Sequence, residues 1–148
     1  MTPEDFISNL ENAIEKTVED LKPTMEEAAL TAKALIARRV QNTGFGRRYT
    51  SRSYVKLRAA KGYEIRFVNL TYTGRMFRGW KRPGTVRTGL KVTGTVGGVD
   101  VETINKLKWN KSRYPQFDKV NEDERKLLIE NLIRPRVVRS LQHNIFRK

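Results

Sequence analysis

An apolar stripe at helical spacing runs through the first part of the chain and restricts that part to helix. The stripe consists of Phe6, Leu10, Ala13, Ile14, Thr17, Val18 and Leu21, and then of Ala28, Ala29, Ala32, Leu35, Ile36 and Val40. Pro23 separates the two runs, and Thr24 with Glu27 makes a helix-capping pattern directly after it. The pattern predicts either two helices or one long helix kinked at Pro23. We therefore expect residues 1–42 to form a helical N-terminal segment.

The middle of the chain carries the residue types of β-strands. Residues 63–70 (YEIRFVNL) are rich in β-branched and aromatic side chains, and residues 85–96 (TVRTGLKVTGTV) have similar content. Gly97 and Gly98 have the composition of a two-residue hairpin turn, and residues 99–103 alternate apolar and polar after it. These three stretches predict one antiparallel sheet.

A short helix is expected between the first two predicted strands. Thr73 is placed to cap it, and Met76, Phe77 and Trp80 follow at helical separations. Large apolar side chains of this kind are usually core, so we expect Trp80 to be largely buried against the sheet.

The last part of the chain again favours helix. Residues 104–110 favour a short helix, and residues 114–117 a loop anchored by burying Phe117. Asn121 opens a final helix that Pro135 should kink. The order of helices, small sheet and helix indicates one α+β domain, 1–148, in which residues 63–148 form the sheet and the C-terminal helix.

Charge is distributed unevenly along this chain, whose net charge is +14. Residues 1–30 carry eight acids and two bases, whereas residues 31–91 carry 16 bases and a single acid, Glu64. Three interpretations of the basic middle remain open: contact with a polyanion, contact with the acidic segment of a neighbouring subunit, or a solvated face.

The most basic stretch is residues 47–62, which is either a short helix capped by Ser51 or Ser53 or an extended basic arm or loop. We expect it to project from the body and to face either DNA or a neighbouring protein. The candidate contact residues are Arg47, Arg48, Arg52, Lys56, Arg58 and Lys61, and the candidate anchors for protein docking are Tyr49, Tyr54 and Leu57. The aromatic residues favour docking, because phosphate contact alone does not need them.

The sequence offers little for catalysis or metal binding. It has no cysteine, and its one histidine, His143, has no carboxylate close in sequence and is expected at the surface. Glu64 is expected to neutralise a neighbouring arginine. Glycine-rich stretches lack the spacing and lysine of a phosphate loop. We therefore expect no enzyme, no cofactor and no metal. No apolar run is long enough to span a membrane, and the acidic start argues against a secretory signal.

Residues 53–80 (SYVKLRAAKGYEIRFVNLTYTGRMFRGW) resemble the most recognisable stretch of the small neck and virion-morphogenesis proteins of tailed bacteriophages. In that family a tyrosine-rich, basic segment leads through a strand to a VDLTxTGxM element. The matching residues here are 68–76, with Asn69 in place of the usual acid. The family motif therefore falls on Thr73, Gly74, Arg75, Met76 and Trp80. The order of the elements in residues 104–141 is also similar, so the resemblance covers roughly the last two thirds of the chain.

The resemblance implies a structural virion protein of the head–tail junction, assembled in the host cytoplasm. It would be a neck, tail-completion or terminator component that joins the portal vertex to the tail around the DNA channel. Its expected partners are the portal, an adaptor or head-closure protein, and a tail terminator or tube protein. The expected form is a homo-oligomeric ring, a hexamer or dodecamer, with nonspecific contact to DNA. The alternative is a sequence-nonspecific basic nucleic-acid-binding protein that acts as a monomer or dimer.

Overall fold

The computed structural model describes residues 2–146. Its helices are α1 (Pro3–Thr43), α2 (Arg52–Ala60), α3 (Arg75–Gly79), α4 (Val101–Arg113), α5 (Glu122–Leu128) and α6 (Arg134–Phe146), and a π-helical segment, Ile129–Ile133, joins α5 to α6. The strands are β1 (Trp80–Thr88) and β2 (Lys91–Gly98), which form a two-stranded antiparallel hairpin. The α+β prediction is confirmed. Within residues 2–146, no helix is long and apolar enough to cross a membrane.

The N-terminal segment is one continuous helix that runs through Pro23. Proline removes a backbone donor and costs about 3 kcal/mol inside a helix. The residues on either side offset this cost by packing, because Thr17, Val18, Thr24 and Ala28 are all buried. The helix ends where expected, at a glycine, Gly44, with a φ of 71°.

The hairpin turn lies at a different glycine from the one predicted. The strands turn at Gly89 and Leu90, and Gly89 has the positive φ of 58° that a two-residue turn favours at its first position. The prediction of a turn at Gly97 and Gly98 is wrong. Gly98 instead permits close approach, since a Cβ there would lie 2.9 Å from the backbone nitrogen of Ile104.

The predicted strand at residues 99–103 is also wrong, because helix α4 begins there. Asp100 is its N-cap and accepts a hydrogen bond of 2.7 Å from the backbone N–H of Thr103. The apolar and polar alternation of these residues is compatible with a strand, but the Asp100 carboxylate caps a helix and determines where that helix starts.

Residues 63–70 form no strand, so the predicted three-stranded sheet is reduced to two strands. The backbone in this stretch bonds elsewhere: Val68 N–H donates to the carbonyl of Arg47 at 2.8 Å, and the Glu64 carbonyl accepts from the Arg58 guanidinium at 2.9 Å. Leu70 has a φ of 53°, which a regular strand does not permit. Residue content suited to a strand is therefore not sufficient without a partner strand.

The described residues divide into two compact units. The first unit comprises residues 2–32, 83–96 and 121–146, and its core includes Ala13, Val18, Ala28 and Leu128. Gly94 of β2 lies directly on α1, because a Cβ there would be 2.1 Å from the Met25 carbonyl oxygen.

Acids of α1 hold the rest of the first unit to this helix. Arg87 of β1 pairs with Glu15 and Glu19, and Arg136 of α6 pairs with Glu27. Much of the acidic charge at the start of the chain is therefore neutralised within the subunit.

The C-terminal helices follow the predicted signals at their start. Asn121 and Glu124 form a reciprocal capping box, with the Glu124 N–H donating to Asn121 Oδ1 at 2.8 Å. The π-helical segment lies directly before Pro135. A proline ring clashes with the carbonyl four residues earlier, here Asn131, and the wider turn relieves that clash.

The second unit comprises residues 33–82 and 97–120, and its core is aromatic. Phe77, Trp80 and Phe117 are at most 7% exposed, and the Trp80 ring lies 6.0 Å from the ring of Phe117. The predicted burial of Trp80 and Phe117 is confirmed. Val40 and Val68 are completely buried in the same unit.

We predict that Trp80→Ala lowers the free energy of unfolding by about 3–5 kcal/mol, because it removes the ring that joins Phe77 to Phe117. The control is Phe146→Ala, another aromatic truncation, since Phe146 is 78% exposed and its loss should change stability by less than about 0.5 kcal/mol. Urea unfolding followed by circular dichroism measures both. Equal midpoints for the two variants would contradict the prediction.

Candidate functional site

Arg58 is a buried cation at the centre of the second unit. Arg58 is 1% exposed, although it belongs to the basic stretch 47–62, which the sequence predicts to project from the body. The guanidinium donates to the carbonyl oxygens of Glu64 (2.9 Å) and Thr71 (2.9 Å) and to Oδ1 of Asn69 (3.0 Å). All three acceptors are neutral, so among the described residues the charge of Arg58 is balanced by carbonyl dipoles and not by a carboxylate.

Tyrosine rings enclose the same guanidinium. Its central carbon lies 4.6 Å from the centre of the Tyr49 ring, 5.5 Å from that of Tyr63 and 5.7 Å from that of Tyr54. Cation–π attraction of this kind is strongest where water is excluded. The Tyr49 hydroxyl donates to Asn69 Oδ1 at 3.1 Å, and burial raises the pKa of this hydroxyl.

These contacts correct the prediction for residues 47–62. The stretch is a helix capped by Ser51, whose side chain accepts from the Tyr54 N–H, and it is held to the unit through Arg58. It is not a projecting arm, and the prediction that Arg58 contacts DNA or a neighbour is wrong because that side chain is inaccessible. The other five bases are exposed: Arg47, Arg48, Arg52, Lys56 and Lys61.

The three predicted anchors differ in what they contact. Tyr49 and Tyr54 pack within the unit, edge to face with ring centres 5.4 Å apart. Leu57 is 46% exposed and is the one anchor of the three whose side chain remains largely available at the surface.

Residues 73–76, on which the resemblance rests, form a turn and the start of a short helix. Gly74 has a φ of 71° and caps α3, and the Thr73 hydroxyl accepts from the Arg75 N–H at 3.4 Å. Met76 is buried beneath the Asn110 amide, whose nitrogen lies 3.2 Å from the methionine sulfur. These residues therefore connect the Arg58 cluster, which consists of Arg58, its hydrogen-bond acceptors and the three tyrosines around it, to the aromatic core.

A groove of about 530 Å³ lies beside this motif in the second unit. Residues of α2, the loop at 70–74 and α4 line it, and most of them are aromatic or basic. They include Tyr49, Tyr54, Tyr72, Trp109 and Tyr114 among the aromatic residues, and Arg75, Lys106 and Arg113 among the bases.

The bases at the groove are balanced only in part. Glu102 accepts from both Arg75 (2.7 Å) and Lys106 (2.6 Å), and its pKa is lowered by the hydrogen bond from Lys106 and the charge of Arg75. Arg113 lies over the rings of Trp109 and Tyr114, at 5.3 and 5.8 Å. The groove thus combines large aromatic surfaces with a net positive charge.

Glu64 and His143, which the sequence analysis also considered, have the surroundings that the sequence predicts. Arg66 donates to Glu64, which lowers the pKa of that carboxyl to about 2, as expected for a neutralising pair. His143 is exposed on α6. No group of three or more acidic or histidine side chains within residues 2–146 could hold a metal ion.

The chain was compared with protein-family models, with curated proteins and with solved structures, and none of them matches it. The geometry of the Arg58 cluster and of the groove is therefore the principal evidence on function.

Sequence reasoning did not find the groove. The predicted short helix, residues 104–110, contains Trp109 but gives it no role, and Arg113 lies outside that helix. A signal was nevertheless present, because Lys106, Trp109 and Arg113 recur at three- and four-residue steps and so lie on one face of α4.

We predict that Arg58→Met lowers the free energy of unfolding by at least about 2 kcal/mol, because the three hydrogen bonds that the buried guanidinium donates to the Glu64 and Thr71 carbonyls and to Asn69 Oδ1 are lost. Arg52→Met is the matched control on the same helix, and it should change stability by less than about 0.5 kcal/mol because Arg52 is exposed. Thermal unfolding of both variants checks this. A similar loss in both would show that burial of Arg58 contributes nothing.

We predict that Asn69→Asp stabilises the protein at pH 7 by about 1 kcal/mol, since a carboxylate would accept the same hydrogen bonds and also balance the Arg58 charge. The pKa of an acid beside this cation falls below its unfolded value near 3.9. The gain is therefore complete above that pH and is lost as the pH falls through the folded pKa. Asn69→Leu is the control and should destabilise. Lower stability of Asn69→Asp than of the parent at pH 7 would contradict the prediction.

Proposed function

We propose that the protein is a structural component of the head–tail junction of a tailed bacteriophage, a neck or tail-completion protein that forms a ring around the DNA channel. One observation carries this proposal. The residues of the resemblance, 53–80, lie within the second unit and contribute buried Arg58, buried Asn69 and the turn at Gly74 to it. A resemblance in residues that determine a fold supports a shared architecture more strongly than one in surface residues.

The distribution of exposed charge is suited to a channel protein. Four bases at or near the start of α2, Arg47, Arg48, Arg52 and Lys56, are exposed. Contacts of such side chains with phosphates carry no base specificity, and a DNA channel requires that every sequence pass equally. The same bases also support the alternative, a free basic nucleic-acid-binding protein, so the oligomeric state separates the two functions.

Native mass spectrometry and negative-stain imaging of the purified protein test the proposal. We expect closed rings, a hexamer or dodecamer, and we expect the chain in purified tailed particles at the junction of head and tail. A monomer or dimer that binds duplex DNA with a steep salt dependence, and that is absent from particles, would instead establish the alternative.

Two surface variants separate the roles of α2 within the proposed ring. Replacing Arg47, Arg48, Arg52 and Lys56 with Ser should weaken DNA binding and leave the rings intact. The affinity should also fall less steeply with salt concentration, as expected for the loss of about four phosphate contacts. Leu57→Ser should leave DNA binding unchanged and reduce assembly if Leu57 contacts another protein. Both sites are exposed, so thermal unfolding should match the parent. If both variants assemble and bind DNA like the parent, neither surface has the proposed role.

A further inference from the structure

The groove of the second unit has the composition of the centre of a protein interface. Tryptophan, tyrosine and arginine are the residues most enriched among those that dominate binding energy, and Trp109, Tyr54, Tyr72, Tyr114 and Arg113 all line this groove. Trp109 is 59% exposed, although it is among the largest apolar side chains of the chain.

The charges at the groove restrict which side chains a bound partner can present to it. Three bases line it, whereas Glu102 is the one carboxylate paired with them in the described part of the chain, and it pairs with Arg75 and Lys106. Arg113 contacts aromatic rings and has no carboxylate within ion-pair distance among the described residues. The occupant should therefore present apolar side chains together with acids.

The first turns of α1 present this combination. Phe6 and Ile7 are 57% and 55% exposed and Leu10 is 38% exposed, whereas the apolar stripe is buried or half-buried from Ala13 onwards. Glu4 and Glu11 flank these side chains, and both are exposed. The stripe thus continues beyond the part of α1 that the first unit covers.

We propose that the aromatic and basic groove of one subunit binds the first turns of α1, residues 3–11, from a second copy of this chain. Phe6, Ile7 and Leu10 would pack on Trp109 and the tyrosines, and Glu4 and Glu11 would face Arg113 and Lys106. This is the mode in which an amphipathic helix binds in a groove. The inference rests on the proposed function, and it names the contact that would close the ring.

Such a contact joins two different surfaces, so it is heterologous. A heterologous contact generates a closed ring when its rotation closes and an open filament when it does not. One kind of contact is thus sufficient to build the proposed assembly.

Cross-linking between two single-cysteine variants tests the inference, because the chain contains no cysteine of its own. Asn9→Cys lies beside the apolar face of α1, and Thr50→Cys lies at the groove; both positions are exposed. The two variants are mixed in high salt, dialysed to low salt and treated with a short bismaleimide. We expect a cross-linked heterodimer from this mixture. The matched control is Thr88→Cys, another exposed polar position of the first unit, mixed with Thr50→Cys.

Anchor variants establish which side chains hold the contact. Phe6→Ser in the Asn9→Cys chain, or Trp109→Ser in the Thr50→Cys chain, should reduce cross-linking to the level of the control pair. Both anchors are exposed, so the variants should unfold at the parent temperature. Equal cross-linking in the test and control mixtures would overturn the inference, and so would full cross-linking with either anchor variant.

The ring measurement keeps this inference separate from the proposed function. Closed rings without the Asn9–Thr50 cross-link would overturn the groove contact and leave the proposed function standing. The specific cross-link in a protein that never enters tailed particles would support the groove contact and count against the proposed function. Protection of Thr50→Cys from alkylation by a single-stranded oligonucleotide, but not by the Asn9→Cys partner, would overturn the inference in favour of nucleic acid.

Discussion

The fold of the second unit depends on the burial of one cation. Arg58 is held by two backbone carbonyls and one amide oxygen, and three tyrosine rings enclose it. Isolated burial of a charge is costly, so these neutral partners must be held in place together. The Glu64 carbonyl belongs to residues 63–70, which have the composition of a strand, and the Thr71 carbonyl directly follows them. The guanidinium thus orders residues 63–72 as an irregular loop, and that loop forms one wall of the groove.

The elements that could be predicted from sequence are those determined by neighbouring residues. The apolar stripe of α1 and the capping box of Asn121 with Glu124 act within a few residues, and both predictions are confirmed. The strand at 63–70 and the turn at Gly97 were wrong, because a strand needs a partner and because several glycines in the region suit a turn. Burial of Arg58 could not be predicted, since its acceptors lie 6 to 13 residues away in a loop without regular periodicity.

The charge asymmetry of the sequence is real, but part of it is used in ion pairs within the first unit. Glu15, Glu19 and Glu27 are paired with Arg87 and Arg136 inside the first unit. Exposed pairs of this kind contribute little stability singly, and their effect is to orient α6 and the hairpin on α1. The exposed acids Glu4 and Glu11 lie in the first turns of α1, which is where the apolar stripe is also uncovered.

The two basic surfaces of the second unit differ in their acidic and aromatic side chains, and this difference favours different partners for them. The exposed bases at or near the start of α2 have no acid among them from Arg47 to Lys61, so a phosphate backbone would meet positive charge alone. The groove places Glu102 between Arg75 and Lys106, and that carboxylate would repel a phosphate held by either base. Its aromatic rings instead favour apolar side chains, with Arg113 available for an acid. The charge pattern therefore favours α2 for the proposed phosphate contact and the groove for the proposed subunit contact.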